Sequence, residues 1–133
     1  MSSASLDSKQ PYAPILETLG AEGVARDIAI ATDPQHALAR RIEAYDDIID
    51  AEVGDTSLSR ARHLERATGL RQLYLKFEAG NPTGTQKDRI AFAQARDALR
   101  RGYDTITVAT CGNYGAAVAL AAVTAGLRCR IYM

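Results

Sequence analysis

Two rhythms of apolar and polar residues run along this chain. Leu38, Ile42, Tyr45 and Ile49 recur at spacings of four, three and four, which lines them along one face of a helix. Arg40, Arg41, Glu43, Asp46 and Asp47 fall mainly outside that stripe and read as a solvated face. Asp33-Pro34 predicts where this helix starts, with Asp33 as N-cap and Pro34 at the first helical position. Shorter helical pieces precede it between Pro11 and Ile30, divided near Gly20. Gly54 to Ser57 is a turn, and Leu58 to Gly69 a weakly periodic connection with a short helix. The rhythm then shortens to two: Leu73, Leu75 and Phe77 alternate with Tyr74 and Lys76, which predicts a strand over Gln72–Phe77. A helix follows to about Arg101, with Ala91, Phe92, Ala95, Ala98 and Leu99 as its buried face and Gly102 as its stop. Thr105–Ala109 reads as a strand, and Asn113–Ala125 as a helix apolar nearly all round and therefore buried. Gly126 ends that helix, and Arg128–Tyr132 is a last strand.

Strand, helix and strand in so short a compass imply parallel pairing with right-handed crossovers. The expected class is α/β, an N-terminal helical segment followed by a parallel β-α-β-α-β unit. Residues 1–10 read as a disordered lead-in of small polar residues, 11–52 as the helical segment, and 53–133 as part of an α/β domain.

Composition narrows the classes of function. Apolar residues make up 47% of the 133, enough for a real core, and 16 basic against 16 acidic residues leave a formal net charge of zero. Nothing therefore points to nucleic acid or to an anionic membrane. No apolar run has membrane-spanning length, and the polar start MSSASLDSKQ lacks the apolar core of a secretory signal. Cys111 and Cys129 make neither a disulfide framework nor a metal spacing, so a reduced cytoplasm and no metal are expected. His36 and His63 stand alone.

Candidate chemistry gathers in KFEAGNPTGTQKDR, Lys76 to Arg89. Gly80, Asn81, Pro82 and Gly84 make a loop, and Thr85-x-x-Asp88 has the spacing of a capping box opening a helix. Lys87 then falls near the second helical position, where the dipole's positive end disfavours an ammonium and favours the neutral amine that attacks a carbonyl. It is a candidate Schiff-base lysine; a lysine alone is far more often a surface residue. A phosphate-binding NTPase loop is excluded, because Thr85-Gln86-Lys87-Asp88 breaks its Gly-Lys-Ser/Thr ending. The second candidate is Thr110-Cys111-Gly112-Asn113, a loop at a strand's carboxyl end that opens a helix and offers free amides to an anion. Asn113 there serves either as a helix cap or as a ligand contact.

Three stretches in order resemble the fold-type II pyridoxal-phosphate enzymes, and most closely those of threonine synthase type. GDTSL at Gly54–Leu58 is similar to the family's Gly-x-Thr-Pro-Leu. LYLKFEAGNPTGTQKDR is similar to its Asn-Pro-Thr-Gly-Ser-Phe-Lys-Asp-Arg block, and ATCGNYG with the Ala-rich helix to its Ser-x-Gly-Asn-x-Gly block. The resemblance implies pyridoxal 5'-phosphate as cofactor, with Lys87 forming the internal aldimine and acting as proton-transfer base. Asn113 would bond the cofactor's ring hydroxyl. Thr110, Cys111, Gly112, Asn113 and Tyr114 would hold the α-carboxylate of a small amino-acid substrate. The implied reaction converts O-phosphohomoserine to threonine. The alternatives are a β-replacement or deamination of cysteine-synthase or serine/threonine-dehydratase type, and a non-catalytic paralogue serving as a binding module. The resemblance also suggests a homodimer. The family's glycine-rich phosphate cup and pyridine-nitrogen partner lie downstream of such a region, so the chain reads as the N-terminal part of a longer enzyme. Ser57, Thr85-Gln86, Cys111 and Tyr114 depart from the family pattern.

Overall fold

A computed structural model describes residues 22–133; the lead-in at 1–10 and the helical pieces up to residue 21 lie outside them. The described elements are α1 (Glu22–Thr32), α2 (Leu38–Glu52), β1 (Leu58–Arg60), α3 (Arg62–Thr68) and β2 (Tyr74–Lys76). They continue with a 3-10 turn (Glu78–Gly80), α4 (Lys87–Arg100), β3 (Thr105–Ala109), α5 (Asn113–Thr124) and β4 (Arg128–Tyr132). The chain is of the α/β class.

Helices α1 and α2 pack along each other, α2 crosses onto α4, and α4 lies against α5. Their shared core holds Ile28, Tyr45, Ile48, Phe92, Leu99 and Val118, with alanines of α4 and α5 letting the backbones approach. The Tyr45 and Phe92 rings stack with centroids 6.0 Å apart and planes 11° from parallel. The Tyr45 hydroxyl donates to Ala121 O at 2.9 Å, so its one polar atom is satisfied inside, and burial pushes its pKa up.

The N-cap expected at Asp33-Pro34 does not form. Asp33 Oδ1 accepts from the Gln35 amide at 2.8 Å and its carbonyl from the His36 amide at 3.2 Å, a turn that keeps the chain out of helix until Leu38. The stripe on α2 also rotates, burying Ala44, Tyr45 and Ile48 and leaving Leu38 exposed. Two charges expected in solvent join elements instead. Arg41 donates to Ala31 O (2.8 Å) and Ala125 O (3.2 Å), stabilising carbonyls at the ends of α1 and α5. Arg96 of α4 forks onto Asp46 of α2 at 2.5 and 2.7 Å.

β3 and β4 pair in parallel, Thr105 opposite Arg128 through Ala109 opposite Tyr132, joined by α5. The strand before Lys87 does not enter this sheet. β2 pairs antiparallel with β1, Leu58 opposite Lys76, so the expected β-α-β-α-β unit reduces to β3-α5-β4. Period two reveals a strand but not its partner. Segment 57–61 takes the bonds, and Phe77 N to Ser57 O and Ala61 N to Leu73 O extend the ladder at 2.9 Å each. Helix α5 buries Ala117, Val118, Ala121 and Ala122 and leaves Ala116 exposed, so its all-round apolarity exceeds what the described residues cover.

Candidate active site

Lys87 is the first residue of α4, one place earlier than its spacing predicts. The side chain is exposed and makes no hydrogen bond or ion pair among the described residues. The capping box is displaced. Thr85 Oγ1 accepts from the Lys87 amide at 3.1 Å, but the Asp88 carboxylate passes Thr85 and reaches Thr83, accepting from its amide at 2.9 Å and its hydroxyl at 2.7 Å. Asp88 is fully buried, and both oxygens are satisfied. Gly84 stands between at φ +79° with its amide on Asn81 O at 2.8 Å, a left-handed turn that a side chain would strain.

A second set of bonds secures the loop from the other side. Glu78 accepts from Arg89 Nε (2.7 Å) and Nη2 (2.9 Å), from Asn81 Nδ2 (3.1 Å) and from Thr56 Oγ1 (3.1 Å). The Arg89 guanidinium holds the Glu78 carboxyl well below its ordinary range, to about 2, with the Asn81 and Thr56 bonds adding to it and partial burial opposing. Buried Asn81 accepts the Gly54 amide at 2.9 Å, and Arg89 donates to Gly54 O at 2.9 Å. Lys76 Nζ donates to Thr56 O. The turn at 54–57 and the loop before α4 are thus one bonded unit. The sequence places Glu78, Asn81 and Arg89 in the lysine motif but gives them no roles; their signal is their polar type, and of the three only Asn81 is buried.

The second expected loop leaves β3 and opens α5. Thr110 N donates to Tyr132 O at 2.9 Å, Thr110 Oγ1 accepts the Gly112 amide at 3.3 Å, and Gly112 accepts from the Gly115 amide at 2.9 Å. Gly112 occupies the N-cap position, so Asn113 is not the cap; its exposed side chain makes no hydrogen bond among the described residues. Cys111 is an exposed free thiol. Tyr114 is half-buried and its hydroxyl is bonded to Gln94 of α4, which sets the start of α5 against α4. Gln94 lies roughly 10 Å along α4 from Lys87 at 1.5 Å per residue. The turn at Gly102–Tyr103 reverses the chain between α4 and β3, with Tyr103 N on Ala98 O at 3.0 Å, so the start of α4 and the carboxyl end of β3 share one end of the sheet. No direct bond joins Lys87 to the 110–114 loop among the described residues. Among the described residues, a concavity of about 380 Å³ runs along α4 from Ile90 past Gln94 to Arg101, beginning one turn beyond Lys87, and another of about 260 Å³ lies beside Gly102 and Gly126; Lys87 lines neither.

What the arrangement offers is an amine without a partner, and a helix start whose first amides, at Asn113 and Tyr114, have no backbone acceptor among the described residues. An aldehyde fits the first, and a carboxylate fits the second.

Residues 49–133 match the family described as pyridoxal-phosphate dependent enzyme. Cystathionine beta-synthase of Oryctolagus cuniculus is 36% identical over 115 residues, covering 83% of this chain and 21% of the relative. Tryptophan synthase beta chain 2 of Thermococcus kodakarensis is 41% identical over 80 residues, 59% of this chain and 18% of the relative. Threonine synthase of Methanocaldococcus jannaschii is 34% identical over 80 residues, 60% of this chain and 20% of the relative. The chain spans about a fifth of the length of these relatives. No solved structure matches it significantly. No helix of the described residues is long and apolar enough to cross a membrane.

Proposed function

The chain belongs to the pyridoxal-phosphate dependent enzymes, and from that premise we propose that Lys87 carries the cofactor of an amino-acid lyase of threonine synthase type. The observation that supports this reading is the exposed Lys87 side chain, without a partner among the described residues, at the first position of α4 beside a loop that the Thr83–Asp88 hydrogen bonds close. When bound, pyridoxal phosphate supplies an aldehyde for an amine and a ring that accepts the electron pair of a breaking bond. Lys87 is the amine that holds it and, once released, the base that moves a proton at the substrate's carbon. Thr110 Oγ1 accepts the Gly112 amide and keeps its own proton to donate, so it and the amides of Cys111, Asn113 and Tyr114 bind the α-carboxylate. Asn113 donates its side-chain amide to the cofactor's ring oxygen. The preferred substrate is O-phosphohomoserine, with water as the second reactant.

The relatives include cystathionine beta-synthase and tryptophan synthase beta chain, so a β-replacement on a serine-like amino acid is the second reading. Phosphate release from O-phosphohomoserine by the full-length protein separates the two; activity only with serine-like substrates and a thiol or indole refutes the first. Borohydride reduction in the presence of pyridoxal phosphate, with peptide mapping, tests Lys87 itself. The expected adduct lies on Lys87; an adduct elsewhere, or none, refutes the assignment.

A further inference from the structure

Lys87 differs from both residues after it in one respect: their side chains turn back along the chain, and its own does not. Asp88 spends both carboxylate oxygens on Thr83, closing residues 83–88 into a ring that contains Gly84, Thr85, Gln86 and Lys87. Arg89 reaches further, to Glu78, Thr56 and Gly54 O. Within the ring, Thr85 Oγ1 holds the Lys87 amide at 3.1 Å and Gly84 takes a left-handed turn. Asp88 is fully buried beneath the loop, on the side of α4 that also buries Ala91 and Phe92, where no water competes for its oxygens.

A helix N-terminus normally frays, because its first amides lack acceptors. Here the first turn is tied at its backbone on both sides of Lys87. The lysine's long stem thereby leaves the backbone from a Cα held in place on both sides. We propose that the Thr83–Asp88 clasp positions Lys87 for bonding to the cofactor's aldehyde, with Thr83 and Asp88 as positioning residues that touch neither cofactor nor substrate. The inference rests on the Schiff-base reading of Lys87 and deepens it. In that step the amine nitrogen forms a C=N bond with the aldehyde carbon and one water leaves; borohydride then delivers hydride to the carbon and traps a secondary amine.

The test uses full-length protein and two probes. Pyridoxal 5'-phosphate reports bonding to Lys87 through the rate of the borohydride-trapped adduct. Pyridoxine 5'-phosphate has an alcohol in place of the aldehyde and reports docking alone. Thr83→Val removes the hydroxyl bond and keeps the shape and the amide bond; Thr83→Ser keeps the hydroxyl; Asp88→Asn removes an acceptor. The clasp predicts trapping slowed roughly tenfold in Thr83→Val and more in Asp88→Asn, as for a reacting group set slightly off line. Pyridoxine 5'-phosphate affinity stays at the wild-type value in Thr83→Val, and Thr83→Ser restores the wild-type rate. Trapping in Thr83→Val at the wild-type rate overturns the proposal. So does slowing that merely parallels a loss of pyridoxine 5'-phosphate affinity, since general loosening does that. Wild-type protein that binds pyridoxine 5'-phosphate but yields no adduct on Lys87 refutes the Schiff-base reading itself, and the clasp with it.

Discussion

Gly112 and Gly115 stand three residues apart in one motif, yet the structure gives them different tasks. A Cβ on Gly115 would lie 2.8 Å from Thr110 Cγ2 and 3.6 Å from Ile131 Cδ1, so the first contact falls short of an ordinary 3.4 Å separation by about 0.6 Å. Thr110 has little freedom to yield, because its amide donates to Tyr132 O at 2.9 Å and its hydroxyl accepts the Gly112 amide at 3.3 Å. Gly115→Ala must therefore lift the first turn of α5 from the end of β3 or rotate Thr110 off its bond. Overpacking of this kind costs about 1–3 kcal/mol. At roughly 4 °C per kcal/mol for a chain of this size, the melting temperature falls by about 4–12 °C. A Cβ on Gly112 meets nothing within 4 Å, and its φ of −150° is extended backbone open to any residue. Gly112→Ala is therefore expected to leave stability within about 0.5 kcal/mol. Thr110→Ser removes the clashing methyl and keeps the hydroxyl, so combined with Gly115→Ala it recovers most of the loss, a coupling measurable as a double-mutant cycle. Thermal unfolding followed by circular dichroism decides the matter. Equal destabilisation by the two glycine changes, or no rescue by Thr110→Ser, refutes the steric account.

Glu78 has its pKa lowered from 4.5 to about 2 in the folded chain, so its ionised form stabilises the fold above pH 4.5 and that contribution is lost as the pH falls from there toward 2. Glu78→Gln should flatten this part of the melting-temperature profile against pH; an unchanged slope contradicts the Arg89 brace. Phe92→Ala empties a fully buried site stacked on Tyr45, with an expected loss of about 3–5 kcal/mol in urea unfolding. Tyr45→Phe removes the shortest of three bonds to Ala121 O, which keeps the Thr124 hydroxyl and the Ala125 amide, and should cost only about 0.5–1.5 kcal/mol in the same assay. Lys87→Ala removes an exposed side chain with no partner among the described residues. Its stability should stay within about 0.5 kcal/mol of the parent, while the trapped cofactor adduct disappears.

What the sequence determined by itself was the local structure. Helix α4 and the strands β3 and β4 lie where their apolar spacing and the glycines at 102 and 126 put them, because period and stop signals are properties of neighbouring residues. The lysine block and the Cys-Gly-Asn loop were legible for the same reason, as runs of turn and cap residues at helix starts. Tertiary structure decided what those residues bond to. It paired Tyr74–Lys76 with Leu58–Arg60 rather than with β3, since an alternating pattern does not say which neighbouring backbone will meet its amides. It moved the Asp88 carboxylate from Thr85 to Thr83, and Arg41 from the solvated face to two helix ends. It used the Tyr114 hydroxyl on Gln94 of another helix, and it made Gly115 a matter of Thr110's methyl group. Hydrogen-bond partners and steric gaps depend on distances between segments far apart in the chain, and those distances exist only once the helices have packed.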